Sequence, residues 1–387
     1  MKSMMNTHNE NHNGQMPDLY TLSDEPLELL KKMIATPSFS GEEQDTADLI
    51  EAFLHKHHVF TFRKRNNIWC YNRNFDPAKP TLLLNSHHDT VRPTKAYHFN
   101  PFLPFMEEGK LYGLGSNDAG GCLVSLIAAF LHFHEFENLP YNLCLAATAE
   151  EETSGEYGLK SILPELHNIA FAIVGEPTQM EMAVAEKGSM VLDCTSFGKP
   201  GHAAREEGDN AIYKALQDIQ WFSDFIFPIE GDLQSPVKMT VTEVHAGLQH
   251  NIVPGECDFT VDIRFTHSWT PKEILTTIQN HTNCQVKVRP NVMKPSFIDG
   301  YHPLVMAGKE IGKTTYCSPT SSDQGWLEVP SLKMGPGDSA RSHTADEFIY
   351  VEEIRSGIVT YIRLLENLFS HHDRKKNLVV SDNYYNC

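Results

Sequence analysis

The sequence predicts an α/β protein, a mainly parallel sheet covered by helices and interrupted by an inserted ferredoxin-like α+β unit. Two patterns along its 387 residues carry that expectation. First, short apolar runs at 81–84, 141–147 and 169–174 alternate with helical stretches near 122–133 and 157–166. Alternation of this kind builds a largely parallel sheet with helices on both faces. Second, the order changes after Lys187: a strand at 190–197, an amphipathic helix at 210–225, strands at 237–244 and 257–265, a helix from Pro271 and a strand at 285–288. Strand-helix-strand-strand-helix-strand is the order of a small ferredoxin-like sandwich. From about Pro295 the strand–helix alternation resumes and ends in a long helix at 351–369. The expected division is therefore 17–186 and 293–373 for one domain, with 187–292 inserted.

Composition narrows the classes of function. With 41% hydrophobic and 21% charged residues, the chain can bury a sizeable core. A net charge of −18 argues against nucleic acid as a partner, because phosphate backbones demand clustered Lys and Arg. The eight cysteines contain no Cys-x-x-Cys pair, which fits neither a disulfide framework nor a thiolate zinc site. The polar N-terminal residues lack the apolar stretch of a signal peptide. The longest apolar run, 123–131, is too short to span a bilayer. These features predict a cytoplasmic, soluble protein with no membrane partner.

Each candidate element has its own local logic. Ser40-Gly41-Glu42-Glu43 has capping-box spacing and is expected to open a helix toward His57. In Ser86-His87-His88-Asp89, residues two apart share a face of an extended chain, so His87 and Asp89 point one way and His88 the other. Asp89 is placed to take the second N–H of a metal-ligating His87. Gly113-Leu114-Gly115-Ser116-Asn117-Asp118-Ala119-Gly120-Gly121 is a glycine-rich turn opening a helix. Asp118 stands where a dinucleotide fingerprint wants glycine, so a phosphate cradle is a weak reading. Its carboxylate can cap the helix or sit between two metal ions. Glu150-Glu151-Glu152 and Gly175-Glu176-Pro177 both follow apolar strands, at the ends where open α/β sheets place their sites. Ser342-His343 supplies a late histidine before the last helix. Together these are the nitrogen and oxygen donors of a zinc site.

At these five ordered motifs the chain resembles the co-catalytic zinc family that contains acetylornithine deacetylase, succinyl-diaminopimelate desuccinylase, aminoacylase and the glutamate carboxypeptidases. The resemblance implies two zinc ions (cobalt or manganese being possible substitutes): one held by His87, Asp118 and Glu176, the other by Asp118, Glu152 and His343. It implies that Asp89 orients His87 and that Glu151 is the general base. It further implies an inserted lid that commonly forms a homodimer. Gly198-Lys199-Pro200-Gly201-His202 resembles the segment whose histidine completes an oxyanion hole, often in the partner's site. Asn251-Ile252-Val253-Pro254 and Asp262-Ile263-Arg264 resemble substrate-contacting motifs, with Arg264 suited to a forked grip on a carboxylate. Two departures stand out: the family's turn carries Arg where this chain has Leu114, and Lys where it has Gly120.

The implied reaction is hydrolysis of an N-acyl amino acid to a carboxylic acid and a free amino acid. Gly175-Glu176-Pro177-Thr178 and the Glu151-Glu152-Thr153 ending point to the acetylornithine deacetylase side. N-acetyl- or N-succinyl-ornithine or -citrulline, in arginine biosynthesis, is the expected substrate type. Two other readings stay open, a metal exopeptidase acting on short dipeptides and a metal-dependent binding protein without turnover. A nicotinamide dehydrogenase is disfavoured by the poor glycine fingerprint.

Overall fold

Strands Thr81–His87 and Asn142–Thr148 run parallel in the middle of the main sheet, and every one of their residues is buried. Burial on both faces is why they read as unbroken apolar runs rather than as alternating ones. The computed structural model describes residues 19–228 and 237–382. On one flank the sheet continues through Asn67–Tyr71 and Thr61–Lys64, both antiparallel. On the other it continues through Ile169–Val174 and Ser331–Lys333, both parallel, to Met182–Glu186 and the short edge Ser296–Phe297. Thr315–Ser318 adds a parallel pairing to Met182–Glu186. The expected mixed α/β fold with a mostly parallel central sheet is what forms.

Helix Gly121–His134 is buried around almost its whole circumference. It packs against Leu19–Ile34 and Val351–Asp382, so the longest apolar run of the sequence is a core helix. Among the described residues no helix is long and apolar enough to cross a membrane.

Residues 188–288 build a second, antiparallel sheet in the order Lys238–Ala246, Glu256–Phe265, Gly188–Phe197, Gln285–Val288. Numbered along the chain this is 2-3-1-4, and helices Ala211–Asp224 and Pro271–His281 enclose an apolar cluster separate from the main core. Asn210 caps the first helix and a Thr270–Glu273 capping box opens the second. On Glu256–Phe265 the buried set is Cys257, Phe259, Val261, Ile263 and Phe265. Asp262 and Arg264 therefore face the opposite side.

Three local expectations are corrected. The capping box at Ser40–Glu43 does not form, and the helix Gln44–Lys56 starts without a side-chain cap. Ser40 Oγ instead donates to Asp89 at 2.6 Å, and Glu43 accepts from the Gly41 and Glu150 N–H groups and from Asn66. A hydrogen bond to a buried carboxylate outcompetes a neutral cap. The helix expected at 157–166 shortens to Leu159–Ile162 and a single tight turn, Leu163–Glu165, at Pro164. The last helix runs to Asp382, beyond the expected end at Phe369.

Candidate metal centre

His87 ends its strand at the carboxyl edge of the sheet, 1% exposed. Its Nδ1 lies 3.0 Å from the Asp89 carbonyl and 3.3 Å from Asp89 Oδ1, leaving Nε2 to point into the site. His88 faces the other way, between Thr46 Oγ1 and the Asn66 carbonyl, both at 2.9 Å. The alternation read from the sequence is what forms. Besides approaching His87, the Asp89 carboxylate accepts the N–H groups of Glu151 and Glu152, each at 3.1 Å. One buried carboxylate thus registers both acidic residues against the histidine.

Asp118 lies in the glycine-rich turn, where the Asp118–Ala119 peptide is cis. Its Oδ1 is 3.3 Å from His87 Nε2, and its Oδ2 is 3.7 Å from His343 Nε2. Gly115 has φ +76°, and a Cβ there would meet Thr90 Cγ2 at 2.6 Å, so the turn requires glycine. At Gly120 a Cβ would come within 2.5 Å of the Gly115 carbonyl and 2.6 Å of Leu30, which leaves no room for the lysine usual in the family. Leu114, in place of arginine, is a buried apolar residue that lines a small cavity with Met33, Ile34 and Phe102.

The turn is clamped by a residue whose role the sequence does not disclose. Glu347 is buried and accepts the N–H groups of Gly115, Asn117 and Asp118 at 3.0, 2.8 and 2.9 Å. It reaches them because Phe348–Tyr350 pairs with Lys110–Tyr112, just before the turn. Burial, with the nearby Asp118 charge, pushes its carboxyl up to about 8. Glu347→Ala strands three N–H groups and is expected to cost about 3 kcal/mol or more, read by denaturant unfolding. It should also weaken metal binding by releasing Asp118.

Glu151 and Glu152 follow Asn142–Thr148, and Glu176 follows Ile169–Val174. Glu176 Oε1 is 3.7 Å and Glu151 Oε2 is 3.9 Å from His87 Nε2. Glu152 Oε2 is 2.8 Å from His343 Nε2. Glu150 and His343 both adopt left-handed backbone, at φ 56° and 59°, a conformation uncommon for non-glycine residues. The donor atoms group as His87, Asp118 and Glu152, and as His87, Glu151 and Glu176. Glu151 therefore lies as close to a ligand position as to a base position.

These residues fit divalent cations. Glu176 Oε1 is buried without a hydrogen-bond partner among the described residues. Burial drives the Glu151 carboxyl well above its usual range and that of Glu176 to about 8, and neighbouring carboxylates add to both effects. Such a concentration of buried acids calls for positive charge beyond what two histidines supply. Oxygen and imidazole donors without sulfur suit zinc, cobalt or manganese.

Residues 83–367 match the profile of Peptidase family M20/M25/M40. The chain belongs to this family. As an M20 chain it is a metallohydrolase. It is 25% identical to succinyl-diaminopimelate desuccinylase of Wolbachia pipientis wMel, across 92% of this chain and 96% of the relative. Its fold is similar to an M20 family metallo-carboxypeptidase of Sulfolobus solfataricus, with TM-score 0.72, 18% identity and coverage of 89% and 99%. It is also similar to a dinuclear metal-binding M20 peptidase of Bacillus subtilis, with TM-score 0.63, 14% identity and coverage of 90% and 98%.

The remaining candidates of this M20 chain fall into two places. A cleft of about 440 Å³ opens beside Glu151, Glu152 and His343 and extends to Lys187 and to Ser189, Lys238, Asp262 and Arg264 of the second sheet. Arg264 lies in the cleft, but Asp262 occupies its Nε–Nη2 edge at 2.7 and 2.8 Å and Ser321 Oγ takes Nη1 at 3.0 Å. The forked grip expected of Arg264 is already made within the chain. His202 and Asn251 are brought together elsewhere: Gly201–His202 pairs with Ile252–Val253, and the Asn251 carbonyl accepts the Ala203 N–H. His202 is exposed, Asn251 Oδ1 is buried without a partner among the described residues, and neither lines the cleft.

Proposed function

We propose that this M20 chain hydrolyses the amide bond of an N-acyl amino acid, using two zinc ions. The observation that carries the reading is the split between neighbours: Asp89 holds both backbone N–H groups, Glu152 turns to His343, and Glu151 turns to the His87 side. In this account His87, Asp118 and Glu176 hold one ion, and Asp118, Glu152 and His343 hold the other. When bound, the ions supply Lewis acidity. Glu151 takes the proton of the attacking water and returns it to the departing amine. The products are a carboxylate and the free amino acid.

The name these relatives carry, succinyl-diaminopimelate desuccinylase, favours an N-succinyl substrate and lends no support to the acetylornithine branch or to arginine biosynthesis, which stays one option among acyl amino acids. The test is amine release from the metal-loaded protein on N-acetyl- and N-succinyl-ornithine, -citrulline and -diaminopimelate, with dipeptides alongside. Cleavage of acyl amino acids supports the reading; cleavage of dipeptides alone replaces it with an exopeptidase.

We further infer that the 187–292 unit dimerises and lends His202, with Asn251 beside it, to the partner's oxyanion. That neither residue lines the cleft of its own chain supports that assignment. Co-expressed His202→Ala and Glu151→Gln chains, each inactive alone, are expected to regain part of the activity as heterodimers. No recovery in verified heterodimers argues that His202 acts elsewhere.

A further inference from the structure

The second sheet is joined to the main one by two chain crossings, 186–189 on the way out and 293–296 on the return, which run side by side. Ser296 pairs with Glu186, and Ser189 exchanges both backbone hydrogen bonds with Met293, at 3.1 and 2.9 Å. Ser189 and Met293 line the cleft, and Ser154, just past the acidic run, sets its hydroxyl 2.9 Å from Met293 Sδ. The crossing is therefore where the turn bearing Glu151 and Glu152 meets the opposite wall of the cleft.

Residues 318–325 sit across that crossing. Ser321 Oγ donates to the Lys187 carbonyl at 2.8 Å and accepts from Arg264 Nη1 at 3.0 Å, and the Gly325 carbonyl accepts the Lys294 N–H at 3.3 Å. What seats this segment is a buried ion pair that the proposed reaction leaves unused. Glu186 accepts the N–H and the hydroxyl of Ser322 at 3.2 and 2.8 Å and lies 3.0 Å from Lys333 Nζ. Lys333 donates in turn to the carbonyl and the hydroxyl of Thr320, at 3.1 and 3.0 Å. Both charged residues are almost fully buried. Taking two charges out of water is so costly that apolar residues of similar volume in their place are often neutral or stabilising. Stability alone is thus a poor reason for the pair, whereas its hydrogen bonds all run to residues that line or adjoin the cleft.

Resting on the amidohydrolase reading above, with the substrate in this cleft, we propose that Glu186 and Lys333 are positioning residues. They hold 320–322 on the crossing and so fix the separation between the acids of the metal centre and the wall formed by Ser189, Thr240 and Arg264. Neither side chain lines the cleft, so both act through Thr320, Ser321 and the crossing.

The double variant Glu186→Leu/Lys333→Met, as metal-loaded protein, separates positioning from stability. Either single replacement leaves a buried charge unpaired and should lower the melting temperature or prevent folding. The double variant removes both charges, so it should melt close to the wild type and keep its metal content. Its kcat/KM should nonetheless fall by roughly tenfold or more, mostly in KM, because small displacements far from the chemistry spoil the fit of a bound substrate. Ser322→Ala, which leaves the ion pair intact and removes one of its holds on the segment, should raise KM by a smaller factor. A pair that served stability alone would give the double variant a wild-type KM. That result overturns the proposal, as does an unchanged KM in Ser322→Ala should the double variant not fold. N-acyl amino acids and dipeptides both serve as the substrate here, so the outcome does not depend on which the protein cleaves. Hydrolysis of neither refutes the acyl amino acid reading, and hydrogen exchange then decides the positioning role. The Ser189 and Met293 amide protons should exchange roughly tenfold faster in the double variant, or detectably faster in Ser322→Ala, as the crossing opens more often. Wild-type exchange rates at both positions overturn the proposal.

Discussion

Glu151→Gln should keep its metal and its substrate affinity while turnover falls by roughly two to four orders of magnitude, the usual contribution of a positioned acid–base group. The substitution preserves shape and removes the proton-accepting charge. Glu151's backbone N–H, bound to Asp89, is untouched, so its loop should stay in register. Glu152→Gln is the necessary companion, because the two acids are adjacent and both lie near the cluster. Its carboxylate is 2.8 Å from His343, so the amide should weaken one ion, with activity partly restored by added zinc. Metal titration and steady-state kinetics on one N-acyl amino acid distinguish them. Loss of an ion in Glu151→Gln, with both kept in Glu152→Gln, reverses the two roles. Unchanged turnover in both variants reduces the acidic run to a solvated turn.

Asp118→Ala should be the most damaging single change to metal content. Its two oxygens address different histidines, Oδ1 toward His87 at 3.3 Å and Oδ2 toward His343 at 3.7 Å. On the proposed assignment, removing it takes a ligand from both ions at once and leaves Glu151, Glu152 and Glu176 crowded without compensating charge. Activity should fall below detection at ordinary zinc concentrations, and elemental analysis should find both equivalents depleted. Full loading together with activity in Asp118→Ala contradicts a bridged site.

Much of the centre is legible in the sequence because its chemistry is local. The two-residue alternation of His87 and Asp89, and the acids following apolar strands, are short-range patterns that a parallel sheet gathers at one edge. What escapes depends on long-range pairing. Glu347 clamps a turn 229 to 232 positions away through backbone N–H groups, and a carboxylate that binds backbone has no partner residue to betray it. Ser40 has the local spacing of a helix cap, yet Asp89, 49 residues on, binds it instead. Arg264 does not offer the free fork expected of it, although the reason is present in the sequence: Asp262 lies two residues away on the same strand face.

The most direct test is to count metal in carefully loaded wild-type protein and in His343→Ala. His343 lies beside Glu152 and Asp118, whereas His87 reaches Asp118, Glu151 and Glu176, so on the proposed ligand assignment only one ion depends on His343. The account predicts about two equivalents of zinc per wild-type chain and loss of one, preferentially, in His343→Ala. One equivalent in the fully active wild type, or two retained in His343→Ala, would contradict it.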